Sequence, residues 1–187
     1  MFEKTETAKR IPNPVLRAAF VARIAHWGQK RRGTGEDFVA HPARVASAVM
    51  LYNPTDEAAV CAAWLHDVVE DTPVTQEDIA ELFGEEVAEL VGHLTNRSKE
   101  HSDVREDRKA LDRERLKSVP PIVKTIKMLD RMDNIRDCGL LSAGFIRKYC
   151  HESRLLVEVL ADGDPDLAGR LLRAIDEREA EAGESGA

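Results

Sequence analysis

Between its glycine and proline stops this chain repeats one pattern, apolar residues three and four apart, and nowhere alternates as a strand would. Asn13-Pro14 opens the first stretch as an N-cap and first-turn proline. Leu16, Ala19, Phe20 and Ile24 then share one face of a helix predicted over Val15–Gln29. The stretch "KRRGTGED" is a loop broken by Gly33 and Gly35, and a second helix follows "HP" with Val45, Ala48 and Val49 inward. A third starts near Thr55 or Asp56 and runs through "AAVCAAWLHDVVED" to the stop at Thr72-Pro73. Thr75 and Asp78 form a near capping box ahead of a helix ended by Gly84, and Glu85–Leu94 is another. The charged segment "NRSKEHSDVREDRKALDRERLKS" reads as a solvated helix or a mobile lid. Pro120-Pro121 precedes a strong helix, Ile122–Asp137, stopped at Gly139. Helices over Ser142–Leu160 and, after Asp164-Pro165, Asp166–Glu179 complete an all-α bundle. Residues 1–12 are expected to be flexible, 13–180 to form one domain and 181–187 to be disordered.

With 187 residues, 43% hydrophobic and 33% charged, such a bundle can bury a substantial core as one soluble domain. The N-terminus lacks the apolar segment of a signal peptide, and no run approaches the roughly 20 apolar residues that span a bilayer. Cys61, Cys138 and Cys150 are too widely spaced for a CxxC pair, so the reducing cytoplasm is the expected setting. A net charge of −7 argues against a nucleic-acid partner. An anionic small molecule would need a local cationic site, and Lys30, Arg31 and Arg32 offer one unless they are simply a solvated basic loop.

The stretch "WLHDVVEDT" crowds an imidazole and three carboxylates into the expected end of an apolar helix, where acids are disfavoured by up to about 1 kcal/mol each. At helical spacing Glu70 stands one turn beyond His66 and Asp71 one turn beyond Asp67, while His66 and Asp67 can both reach one ion. A solvated helix end is the plain alternative. Asp130 falls inside the apolar arc of Val123, Ile126 and Leu129, with Asn134 at its edge. A carboxylate there must be paired, by a salt bridge to another helix, or bind metal. His41 before Pro42 is by itself a local cap or surface residue; His26, His93, His101 and His151 read as structural or exposed. Together His41, His66, Asp67 and Asp130 make a set of two nitrogens and two oxygens that suits Mn²⁺, with Fe²⁺ or Zn²⁺ as alternatives, and a bound cation would offset the crowded acids.

Four blocks in order, "AHWGQKRRGTGEDFVAHPARVA", "AAWLHDVVEDT", "FGEEVAELVGHLT" and "IKMLDRMDNIRD", resemble the HD-superfamily metal phosphohydrolases. The closer resemblance is to the hydrolase domain of RelA/SpoT-type proteins, including small alarmone hydrolases related to the metazoan SpoT homologue. The resemblance implies an all-helical domain holding one Mn²⁺ through His41, His66, Asp67 and Asp130, with Glu70 and Asp71 as the catalytic acids. It places Asn134 and Arg136 near the nucleotide and makes Arg31 and Arg32 the basic pair that holds the guanine nucleotide. The implied reaction removes the 3′-pyrophosphate of (p)ppGpp, giving GDP or GTP and pyrophosphate. Phe38 stands where the family has Tyr, Arg32 where it has Lys, and "NRSKE" follows "HLT" in place of a Lys. Competing readings are hydrolysis of another nucleotide (ppApp, a nucleoside phosphate or NADPH) and a catalytically idle nucleotide sensor. The partner is in each case a small nucleotide, and the sequence leaves oligomerisation open.

Overall fold

The computed structural model describes residues 2–96 and 103–184, without the side chains of 2–5 and 184. Among the described residues every regular element is helical, and the only strand-like pairing is an isolated bridge between Lys30 and Asp37. The chain divides into two compact units, Met1–Arg31 with Glu36–Asn96, and Arg32–Gly35 with Arg97–Ala187.

The first unit holds α1 (Phe2–Lys9), α2 (Pro14–Ala25), α3 (Ala40–Tyr52), α4 (Glu57–Leu65), α5 (Val68–Asp71), α6 (Gln76–Phe83) and α7 (Glu85–Leu94). At its centre is α4, packed against α2, α3 and α7. Ala59, Val60, Cys61, Ala62, Ala63 and Leu65 are all buried, as expected of a helix apolar on every side. Its N-terminus is capped by Asp56, whose Oδ1 accepts from the Ala59 amide at 2.8 Å. Asn13 caps α2 in the same way through Leu16, at 2.9 Å. Thr75 and Asp78 form a full capping box at the start of α6, each side chain accepting from the other's backbone N–H.

The second unit holds α8 (Arg105–Leu116), α9 (Pro121–Asp137), a 3-10 turn at Cys138–Leu140, α10 (Ala143–Leu160) and α11 (Pro165–Glu184). Both α8 and α11 pack on α10, and α9 packs on α10 and α11. Met128, Ile135, Leu160, Leu167, Leu171 and Ile175 are fully buried there. Lys124 spans this unit, donating to the Asp162 carboxylate and the Lys117 carbonyl.

Several boundaries differ from the sequence expectation. Helix α2 stops at Ala25 rather than Gln29, because the chain turns through Gly28 at φ +81°, a conformation glycine takes without strain. Helix α3 begins before "HP", so His41 and Pro42 lie in its first turn, where a proline's missing N–H costs nothing. The helix predicted to run through "WLHDVVED" breaks at His66–Asp67 into α4 and α5. At the ends, the N-terminus contains α1, with Ala8 buried and Lys9 paired to Glu6 and Glu81, and α11 continues through Glu184. The charged segment forms α8 from Arg105, and its first part, 97–102, lies outside the described residues.

Candidate metal centre and acidic turn

At the break after α4 a side chain bonds the helix end. His66 Nδ1 lies 2.7 Å from the carbonyl oxygen of Ala63, which can only accept. That bond puts the ring proton on Nδ1 and leaves Nε2 as a lone pair, the tautomer a metal ligand needs. His41 Nε2 approaches from the first turn of α3 to 3.2 Å, the two rings meeting edge to face. Oδ2 of Asp67 lies 3.2 Å from His66 Nε2 and 3.7 Å from His41 Nε2. Both histidines are buried, and the Asp67 side chain is 21% exposed. Two imidazole nitrogens and a carboxylate oxygen thus converge in one buried corner. This is a His/His/Asp site, and its donors fit a divalent cation that takes nitrogen and oxygen.

The acids follow at once. Glu70 and Asp71 sit in α5, a single turn whose N-terminal flank is Asp67. Oε2 of Glu70 accepts from the Asn96 backbone N–H at 3.1 Å and from Asn96 Nδ2 at 2.9 Å. Asp71 is held by its backbone, whose carbonyl accepts from Gln29 Nε2 at 3.1 Å. The hydroxyl of Thr72 closes the turn on the Val68 carbonyl at 2.6 Å.

The basic loop is tied down rather than loose. The Arg31 guanidinium lies over the Phe38 ring, 5.5 Å from its centroid, and its amide donates to the Glu36 carbonyl. Nζ of Lys30 bonds the exposed Asp37 at 2.6 Å, which holds the Asp37 carboxyl below its ordinary value. In the second unit Arg32 covers Phe145 at 5.5 Å. Beside it Gly33 runs so near α9 that a Cβ would lie 2.7 Å from the Asp137 carbonyl oxygen.

Also in the second unit, Asp130 is buried in α9 as the wheel requires. Its Oδ1 accepts from Asn134 Nδ2 at 2.6 Å, and Oδ2 lies 3.4 Å from Lys127 Nζ. Lys127, one turn earlier on the same helix and itself buried, is a partner on Asp130's own helix, where the sequence pointed to a salt bridge from another helix or to a metal. Arg131 instead stacks on Tyr149 and donates to Ser153. Arg136 is more than half exposed and pairs with Asp133 and Asp137. The first unit therefore brings together His41, His66 and Asp67, with the acids one turn on. The second holds Asp130, Asn134 and Arg136 on α9.

The profile of the HD domain family, a family of helical domains, matches residues 18–161. This chain belongs to the HD-domain family. Similar proteins include a probable guanosine-3′,5′-bis(diphosphate) 3′-pyrophosphohydrolase of Synechocystis, 33% identical over 165 residues. The match covers 86% of this chain but 21% of that relative. The bifunctional (p)ppGpp synthase/hydrolase SpoT of Escherichia coli is 36% identical over 150 residues, covering 78% of the chain and 21% of the enzyme. This HD domain thus spans about a fifth of the length of the curated relatives it matches. Among solved structures, a metazoan ortholog of SpoT that hydrolyzes ppGpp superposes with a TM-score of 0.80 at 27% identity, over 88% of this chain and 95% of that one. A Listeria monocytogenes protein matches with a TM-score of 0.63 at 26% identity.

Three residues that bond the candidate site residues were not singled out from sequence: Gln29 and Asn96 in the first unit, and Lys127 in the second. Asn96 lies at the "HLTN" departure from the family pattern, so a signal for it was present. No described helix of the HD domain is long and apolar enough to cross a membrane.

Proposed function

We propose that this chain is a metal-dependent phosphohydrolase that removes the 3′-pyrophosphate of (p)ppGpp, releasing GDP or GTP and pyrophosphate. The names of its relatives supply the substrate class, and the lone pair of His66 Nε2, facing His41 and Asp67 in a buried corner, carries the metal dependence. His41, His66, Asp67 and Asp130 would hold the ion, Mn²⁺ by preference for a mixed nitrogen and oxygen set, with Fe²⁺ or Zn²⁺ as alternatives. A divalent ion so held lowers the pKa of a bound water towards neutrality and screens phosphate charge.

The chain's own groups do the rest. Glu70, oriented through Asn96, and Asp71, oriented through Gln29, steer the attacking water and return a proton to the leaving oxygen. Lys30, Arg31 and Arg32 draw an anionic nucleotide to an acidic protein, and a guanidinium plane can stack on a base. Asn134 and Arg136 stand beside the nucleotide. The deciding experiment measures pyrophosphate release from ppGpp, pppGpp and ppApp with Mn²⁺, with and without chelator. Chelator-sensitive release from the guanine nucleotides is expected. Release from ppApp alone would reassign the substrate, and no release from any of them would leave a nucleotide sensor.

A further inference from the structure

A chain of hydrogen bonds links the end of α2 to the end of the acidic turn. His26, just past α2, is 2% exposed, and its Nδ1 lies 2.8 Å from Gln29 Oε1. Nε2 of Gln29 donates to the Asp71 carbonyl. A carbonyl oxygen only accepts, so the Asp71 bond fixes which way the Gln29 amide faces, and Gln29 Oε1 must then receive a proton from His26. Nδ1 carries that proton. Burial pushes the His26 pKa down, in keeping with a neutral ring. The ring is covered by Phe38, centroid to centroid 4.5 Å, and its Nε2 has no hydrogen-bond partner among the described residues. An imidazole left half unsatisfied is a poor choice for packing alone, where an apolar side chain would leave nothing unpaired. The nitrogen that does bond is the one that steers Gln29.

Gln29 in turn serves two segments. Its backbone carbonyl accepts from the Phe38 amide, tying down the loop that leads into α3, and its side chain takes the last carbonyl of α5. A single helical turn does not hold itself together. The α5 turn has the Thr72 hydroxyl on the Val68 carbonyl and Gln29 on the Asp71 carbonyl as its closing bonds. We propose that Gln29, oriented by His26, is a positioning residue for Glu70 and Asp71, acting through the Asp71 main chain and not by touching substrate. This rests on the hydrolase reading above.

The test uses Q29E, which keeps the size but opposes a carboxylate to the Asp71 carbonyl, Q29M, which removes both polar atoms, and the pair H26A and H26N. In Q29E, Q29M and H26A kcat should fall about 10-fold or more, the scale seen when an outer hydrogen-bond partner of a site is lost. KM and metal content should stay near wild type. H26N keeps an N–H where Nδ1 stood and should recover most of the turnover that H26A loses. In the metal-free proteins, amide exchange at residues 68–72 should quicken in Q29E and Q29M, while α9 exchanges as before. Wild-type kcat in both Gln29 variants would overturn the proposal. So would a joint shift of kcat, KM, metal content and exchange throughout the chain, which marks general loss of stability. A wild-type protein that released no pyrophosphate would sink the hydrolase reading instead, and exchange at 68–72 alone would then decide whether Gln29 holds the turn.

Discussion

Glu70→Gln separates the charge of the first proposed catalytic acid from its shape. The Glu70 carboxylate accepts two hydrogen bonds from Asn96 on one oxygen, and a Gln carbonyl oxygen can accept the same two. A neutral hydrogen bond contributes about 1 kcal/mol net and a charge-assisted one about twice that, so the fold should lose no more than about 2 kcal/mol. In a chain this long, 1 kcal/mol moves Tm by about 2–4 °C. The chemistry should lose more. A positioned acid or base contributes about 10²- to 10⁴-fold, which is about 2.7–5.4 kcal/mol of barrier. The assay is pyrophosphate release at saturating ppGpp, beside metal content by elemental analysis and thermal melts of the chelated protein. The expected result is a kcat at least about 100-fold down, with metal content unchanged and Tm lowered by no more than about 8 °C. A variant that folds, keeps its metal and turns over within fivefold of wild type would refute the role given to Glu70. Glu70→Ala is the contrast, since it leaves the Asn96 donors without this acceptor and should cost more stability for no greater loss of rate.

Asp130→Asn keeps the bond to Asn134 but removes the charge of a proposed ligand, and metal content after gel filtration should fall at least about 10-fold; full occupancy would remove Asp130 from the coordination set. Arg31→Ala and Arg32→Ala should each raise KM by about 10-fold or more, the value of one charge-assisted contact, and change kcat less. The effect should shrink at high salt, and an unchanged KM in both would make the loop a surface feature. His26 gives a pH prediction with a definite sign. Burial holds its folded pKa below the ordinary 6.5, so below that pH the unfolded chain binds more protons and stability is lost as pH falls. Urea unfolding of the chelated protein at pH 7.5 and 5.5 should show a smaller loss in His26→Asn than in wild type, and equal losses would contradict a neutral buried His26.

What the sequence disclosed was what depends on near neighbours. Asn13 and the Thr75–Asp78 pair cap the helices they were expected to cap, and Asp56 and Ser142, read only as near the starts of theirs, prove to be caps too, because a cap needs only an amide three residues on. The burial of Asp130 followed from the turn angle of one helix. The supports of the acidic turn stayed hidden, because Gln29 reaches a carbonyl 42 residues away and Asn96 a carboxylate 26 residues away, and the departure after "HLT" marks the place of Asn96 but not its partner. Helix α1 was missed for a related reason. "FEKTETAK" has no apolar stripe, and the structure holds it through buried Ala8 and the Lys9–Glu81 pair, a contact with α6.

The break at His66–Asp67 had no glycine or proline to mark it, and it changes the electrostatics of "WLHDVVEDT". In one unbroken helix Glu70 and Asp71 would crowd a C-terminal end of negative partial charge, and neutralising them would stabilise the fold. In the structure α4 ends at Leu65, and the His66 ring donates to the Ala63 carbonyl, supplying positive partial charge at that end. The acids belong to the next turn, where a single turn sums almost no dipole and Asn96 and Gln29 supply N–H donors. Their charge is therefore stabilised where it stands, and Glu70→Gln should lower Tm slightly. A rise in Tm would mean that α4 and α5 behave as one helix.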